Sequence, residues 1–309
     1  MADHTTIILH HYDTSPFSEK IRLILGLKGV AWASVKIPHM MPKPDLMPLT
    51  GGYRKTPVLQ IGADIFCDSA MIARELERRV PTPTLFPGGN RGLMWSVGKW
   101  TDGPVFQASV AIIFGSLADQ IPEDFIRDRQ DFAGQRFDLE AMRRAVPAMR
   151  DQWRAAMGWV EAQLQDGRPF LVGEQAGLGD ISCYMNVWFI RNAFPPAAVI
   201  LDEFPLVKAW ADRVAGFGHG TSEALSSADA LEIARAADPA TPRRADPYDP
   251  NGLEPGDAVA VAPDDTGRVP VHGTIVALSA QHIAIERTDP RAGRLVVHFP
   301  RSGFHIMRL

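Results

Sequence analysis

Cysteine is scarce in this chain: Cys67 and Cys183 are the only two among 309 residues, far apart and in no metal-ligand spacing. That argues against a disulfide framework and makes a reducing compartment the simpler setting. A strong excess of one charge is lacking too, and a formal net charge of −4 gives no general attraction for nucleic acid or an anionic membrane. No apolar run approaches the length that crosses a bilayer, so no membrane contact is expected. The opening Met1-Ala2-Asp3-His4 lacks the basic-then-apolar order of a signal peptide, so a soluble, cytoplasmic protein is expected. There is no Gly-x-x-x-x-Gly-Lys phosphate loop. His10, His11, His39 and His219 lack ligand spacing, and His282, His298 and His305 fall singly on separate β-type runs, so no metal site is expected.

Hydrophobic residues at 46% and charged residues at 22% give an ordinary globular balance over a length suited to two or three domains. Residues 1–89 alternate strand and helix signals in the order β-α-β, a Pro-rich crossover, then β-β-α, a small mixed sheet with helices packed on it. Residues 90–237 read as all-helical, with helices expected over Trp95 to Leu117, Glu140 to Val146, Ala148 to Gln165, Asp180 to Asn192, Phe204 to Phe217 and Ser222 to Ala236. Pro147 is expected to break or restart a helix. Four prolines mark 238–252 as a linker. Residues 253–309 hold five short period-two runs, predicting a small all-β barrel or sandwich. The six arginines of that module, from Arg268 to Arg308, have acidic residues among them and no lysine, which reads as a solvated surface rather than a nucleic-acid site.

The run Tyr12-Asp13-Thr14-Ser15-Pro16-Phe17-Ser18, directly after Ile7-Ile8-Leu9, carries the most chemistry. A strand ends there and a helix begins, with Ser15 at the N-cap and Pro16 at the first helical position. A hydroxyl in that place sits at the positive end of a helix dipole, where an anion is stabilised. Three further features follow in order: Thr56-Pro57 opening a strand, Asp68-Ser69 opening a helix, and Phe170-Leu171-Val172-Gly173 ahead of Gly179-Asp180-Ile181-Ser182. Met singly, each is a cap or a turn. Their joint order is far more specific.

The set resembles the cytosolic glutathione S-transferase family, over residues 1 to about 218. The resemblance implies a thioredoxin-like N-terminal domain, a helical C-terminal domain and glutathione as cosubstrate, with the barrel from Asp246 onward outside the family pattern. It places Ser15 at the glutathione sulfur, with Tyr12 as the second choice. Thr56 and cis Pro57 would pair with the cysteinyl backbone, and Asp68 and Ser69 would hold the γ-glutamyl end. Arg54 and Lys55 are candidates for the glycyl carboxylate, and Asp180 is the buried capping aspartate, half-matched because Gly177 stands where Ser or Thr is usual. A hydroxyl at Ser15 and another at Ser18 exclude disulfide exchange by this motif. Trp95, Trp100, Phe106 and Phe114 are candidates for an apolar wall around the electrophile, although aromatics at helical spacing are commonly core.

The reading is therefore a glutathione transferase acting on a small hydrophobic electrophile, expected as a homodimer. The stretch Thr50 to Pro57 resembles glutathione-dependent aryl-ether-cleaving enzymes, which keeps β-aryl ether cleavage as an alternative. The extra β module keeps a second, a non-catalytic binding or assembly module.

Overall fold

Successive residues of the first strands point to two different cores, and both cores are apolar. Leu9, Leu59 and Phe66 face one, Ile8, Val58 and Ile65 the other. A strand buried on both faces needs a layer on each side. The computed structural model, which describes residues 5–134 and 136–309, supplies both layers.

The first domain runs β1 (Ile8–His11), α1 (Pro16–Leu27), β2 (Ala31–Lys36), α2 (Leu46–Thr50), β3 (Val58–Ile61), β4 (Asp64–Cys67) and α3 (Ser69–Arg79). β1 pairs parallel with β2 and antiparallel with β3, which pairs antiparallel with β4. This is the expected thioredoxin-like sheet. The helical domain follows as α4 (Arg91–Trp100), a π-turn (Thr101–Val105), α5 (Phe106–Ser116), α6 (Glu123–Ala133), α7 (Leu139–Gln163), α8 (Leu178–Ala193) and α9 (Pro205–Ala215). Asp180 acts as the buried cap: its carboxylate accepts from Leu171 N, Gly177 N and the Trp210 indole at 2.8–2.9 Å.

Three expectations for this part need correction. Trp95 to Leu117 is not one helix, because Pro104 has no N–H to give. The ladder widens there, and Phe106 N reaches back to Thr101 O. Pro147 does not interrupt α7, which runs unbroken through it. Gly115 of α5 lies so close that an added Cβ would meet the Met142 carbonyl at 2.6 Å, and packing of that quality outweighs one missing hydrogen bond. Ser222 to Ala236 is not one helix either. Residues Thr221–Ala224 form β5, parallel to the open edge of β2, and α10 (Ser227–Ala236) starts only after Ser226 caps it. An unpaired strand edge won over local helix propensity. The short α2 and the polar α6 were not foreseen from periodicity.

The appended strands are β6 (Ala258–Pro263), β7 (Val271–Ser279), β8 (His282–Asp289), β9 (Gly293–Pro300) and β10 (Phe304–Arg308). They run β10-β6-β7-β8-β9 and then continue without a break into β4-β3-β1-β2-β5, a single ten-stranded sheet. The junction is a parallel pairing of Asp64, Ile65 and Phe66 with Val296, Val297 and His298. Val259, Ile275, Ile285 and Val297 share one core with Ile8, Val58 and α10. Tyr53, just ahead of the cis proline, sits against Phe299 and Phe304 with ring centroids 6.0 and 6.1 Å away.

A buried polar seam closes the junction. His298 Nε2 donates to Asp64 Oδ1 at 2.9 Å, while Thr241 Oγ1 and Ala240 N donate to the same carboxylate. The second nitrogen of His298 meets His282 Nε2 at 2.9 Å, and the His298 ring stacks on Phe66. The proline-rich 238–252 segment is thus strapped down: besides these bonds, Arg244 N donates to Val276 O.

Burial holds three histidines neutral: His10 at a pKa of about 4, His11 and His282 at about 3, against an ordinary 6.5. Below pH 6.5 the unfolded chain takes up protons that the fold refuses, so stability falls as pH drops. Asp64 acts in the same direction. Burial raises its pKa, but the bonds from His298, Thr241 and Ala240 outweigh this and leave it lowered, so its contribution is lost in acid. The thermal midpoint should therefore decline steadily from pH 6.5 to about 4. A midpoint constant over that interval, measured by circular dichroism, would contradict the neutral buried histidines.

Candidate functional site

Ser15 ends the turn after β1 and is 2% exposed. Its backbone is extended (φ −78°, ψ 118°), Pro16 occupies the first helical position, and its Oγ accepts from Ser18 N at 3.1 Å. As an acceptor from backbone, the hydroxyl keeps its own proton to donate. The Ser18 hydroxyl is buried with no partner among the described residues. Tyr12 sets its ring edge-on to His39, with Lys43 Nζ 5.8 Å from the ring centroid.

The Thr56–Pro57 bond is cis and lies directly before β3, with Thr56 half-buried. Asp68 is the single non-glycine residue with positive φ (78°) among the described residues, and its Oδ1 accepts from Ala70 N at 2.8 Å. Such a backbone persists only where its surroundings enforce it, commonly at ligand sites. Burial raises the Asp68 pKa, while the Ala70 N–H and Lys20 partly oppose the shift. Ser69 is buried at the first turn of α3. The structure thus brings Ser15, Thr56, Pro57, Asp68 and Ser69 to the ends of β1, β3 and β4, on the helix-N-terminal side of α1 and α3.

Arg54 and Lys55 are already engaged. Arg54 pairs with Asp128 of α6 and lies over the Phe132 ring, and Lys55 pairs with Asp265 of the β6–β7 turn. The cation next to Thr56 is one that sequence reading missed. Lys43, 4% exposed, donates to Thr56 Oγ1 at 2.9 Å and Arg54 O at 3.0 Å. Burial, then the charges of Arg54 and Arg129, bring its pKa to about 8. Nothing in the Pro-Lys-Pro run around it signals that role.

A second missed pair crosses between domains. Lys20 of α1 is buried against Asp102 of the π-turn, Nζ to Oδ2 2.6 Å, while Asp102 Oδ1 is buried without a partner among the described residues. The helix-breaking Gly103-Pro104 next to it was the available signal. Of the four expected wall aromatics, Phe106 packs on Phe17 beside the serine turn, centroids 4.8 Å apart. Phe114 joins Phe125 and Phe137, and Phe125 connects through His39 to Tyr12. Trp95 and Trp100 lie elsewhere. Trp95 lines a cleft of about 370 Å³ with Arg74 and Phe86, and Trp100 packs at a tilt against Trp159, centroids 5.5 Å apart.

Removing the ammonium in Lys20→Met leaves the half-buried Asp102 carboxylate without its partner. The variant should lose about 3 kcal/mol, the lower end for breaking a buried pair. An unchanged urea midpoint would show that the pair contributes nothing to domain docking.

Comparisons with known proteins identify the family. A family model described as the glutathione S-transferase N-terminal domain matches residues 9–84, and one for the C-terminal domain matches residues 143–213. A crystal structure of a GST-like protein from Pseudomonas syringae is 41% identical, with a TM-score of 0.83 over 99% of this chain and 100% of that one. The likeness therefore includes the appended strands. A Tau class glutathione S-transferase from mango, Mangifera indica, shares the fold at 18% identity and a TM-score of 0.53, over 68% of this chain and 88% of that one. A glutathione S-transferase from Rhodospirillum rubrum does so at 19% identity, with the same TM-score and coverages. None of the curated proteins matches. Among the described residues no helix is long and apolar enough to cross a membrane, and no group of three or more His, Cys, Asp or Glu side chains is placed to hold a metal ion. With both domain signatures in order and a full-length relative at 41% identity, the chain belongs to the glutathione S-transferase family.

Proposed function

We propose that this protein is a glutathione transferase that activates the tripeptide thiol at Ser15 and delivers it to a small apolar electrophile. The observation that supports this most directly is the Ser15 hydroxyl, which accepts from Ser18 N at the start of α1 and retains a proton to donate. A glutathione thiol is nucleophilic only as the thiolate. A hydroxyl donor, reinforced by the α1 N-terminus, favours that form.

The rest of the cleft suits the tripeptide. Thr56, half-buried beside Pro57, offers its backbone to the cysteinyl unit in the manner of an added strand. Ser69 and the first N–H groups of α3 suit the γ-glutamyl carboxylate. Asp68 suits the γ-glutamyl ammonium, and the unpartnered Asp102 Oδ1 is a second acceptor on the same side, since Asp68 senses the charges of both Lys20 and Asp102. Lys43, Lys55 and Arg54 surround the glycyl end.

With an aryl halide, the sulfur forms a bond to the ring carbon, the halide leaves with its electron pair, and the thiol proton passes to solvent. Phe17, Phe106, Phe114 and Phe125 supply an apolar wall for such a ring. A homodimer belongs to the same reading.

Thioether formation from glutathione and chlorodinitrobenzene tests it. Ser15→Ala should lower kcat/KM by about 10²-fold, the scale of losing one donor to a developing anion. Tyr12→Phe should stay close to wild type. Full activity in Ser15→Ala together with loss in Tyr12→Phe would move the sulfur contact to the tyrosine. No turnover despite glutathione binding would favour a binding module.

A further inference from the structure

Asp265 has no part in the reading above, yet it reaches the same cleft. It lies in the β6–β7 turn, residues 264–270, carried by the appended strands. Its carboxylate holds the Lys55 ammonium, one residue before Thr56. The next contact fixes the turn on the other side: Gly267 N donates to Phe132 O at 2.7 Å, at the end of α6. Gly267 has φ +63°, and an added Cβ would meet the Phe132 ring at 2.7 Å and come within 3.7 Å of Lys55 Cε. Only glycine lets the turn lie this close. Asp264 N is anchored by Gly303 O at 3.0 Å, so the turn is braced from within its own module.

The turn therefore bridges the thioredoxin-like domain to α6 at the rim of the cleft. The two partners are unequally covered. Lys55 keeps 18% of its side chain exposed, whereas Asp265 keeps 62%, so the carboxylate approaches the ammonium from the solvent side. A tripeptide carboxylate would come by the same route. The other candidate cation, Arg54, is likewise neutralised within the chain, by Asp128. Glutathione thus arrives at a glycyl subsite where Lys55 and Arg54 are already matched, while Lys43 donates only to uncharged oxygens.

We propose that the β6–β7 turn is an internal competitor for glutathione: Asp265 occupies Lys55 in the free protein and must yield it to the glycyl carboxylate. This rests on the glutathione reading of the cleft and adds to it that the appended strands regulate entry. An exposed ion pair is weak, so the competition tunes affinity rather than blocking the site.

Titration calorimetry on the full chain tests this with two ligands, glutathione and its glycyl monoethyl ester, against wild type and Asp265→Asn. The variant should bind glutathione about two- to fivefold more tightly, the range of one exposed ion pair. The ester, which lacks the competing charge, should bind both proteins alike. In a Lys55→Met background, Asp265→Asn should give no gain. Equal or weaker glutathione binding by Asp265→Asn overturns the competition and leaves the glutathione reading standing, as does an equal gain for the ester. No heat with either ligand in any of the proteins overturns both.

Discussion

Pairing of β9 with β4 is the contact on which the rest of the architecture depends. Within the first four strands the order is β4-β3-β1-β2, so β4 would present a row of unsatisfied backbone groups. Native proteins cover such edges, and here the chain covers one with its own later strand. Three register pairs, at about 1 kcal/mol net per hydrogen bond, would be modest by themselves. They are reinforced because the same strand buries Leu295, Val297 and Phe299 in the core beneath the sheet, and each such side chain contributes about 1.5–3 kcal/mol. The Asp64–His298–His282 chain then fixes the register, since a slip by one residue would leave a buried carboxylate and a buried imidazole unmatched.

Once β9 is placed, the position of the turns between appended strands follows. Arg287 and Arg291 reach the carbonyls of Pro48 and Pro44, and Arg291 also pairs with Asp45. Gly51, with φ 74°, ends α2 where any side chain would strike Arg287 and Val271. The segment that delivers Lys43, Arg54 and Lys55 to the cleft is therefore held from behind by the appended strands. The Thr56 side of the cleft is bordered by four parts of the chain: the loop after β2, the loop after α2, α6, and the β6–β7 turn.

The electrostatics of the cleft follow a consistent pattern. Its cations are each set against an acceptor from another element: Lys20 against Asp102, Arg54 against Asp128, Lys55 against Asp265. Lys43 alone of the four donates to uncharged oxygens only, and burial, with the nearby Arg54 and Arg129 charges, lowers its pKa to about 8.

The serine turn, the cis proline and the Asp68-Ser69 helix start were legible in the amino-acid sequence because each is a local device. A cap, a proline or a first-turn serine acts within four residues of itself, so its chemistry is written where it acts. The five late β runs and most helices of the middle segment were legible for the same reason, through the period of their apolar residues. What the sequence could not disclose were relations between distant segments. Pro147 reads as a break until α5 is seen against it, and residues 221–224 read as helix until the edge of β2 offers them partners. Nothing local in the sequence marks Lys43, Asp102 or Asp265, which folding alone sets against Thr56, Lys20 and Lys55. Periodicity and capping are short-range, whereas strand-edge pairing, desolvation and charge matching depend on which surfaces meet, and only the tertiary structure decides that.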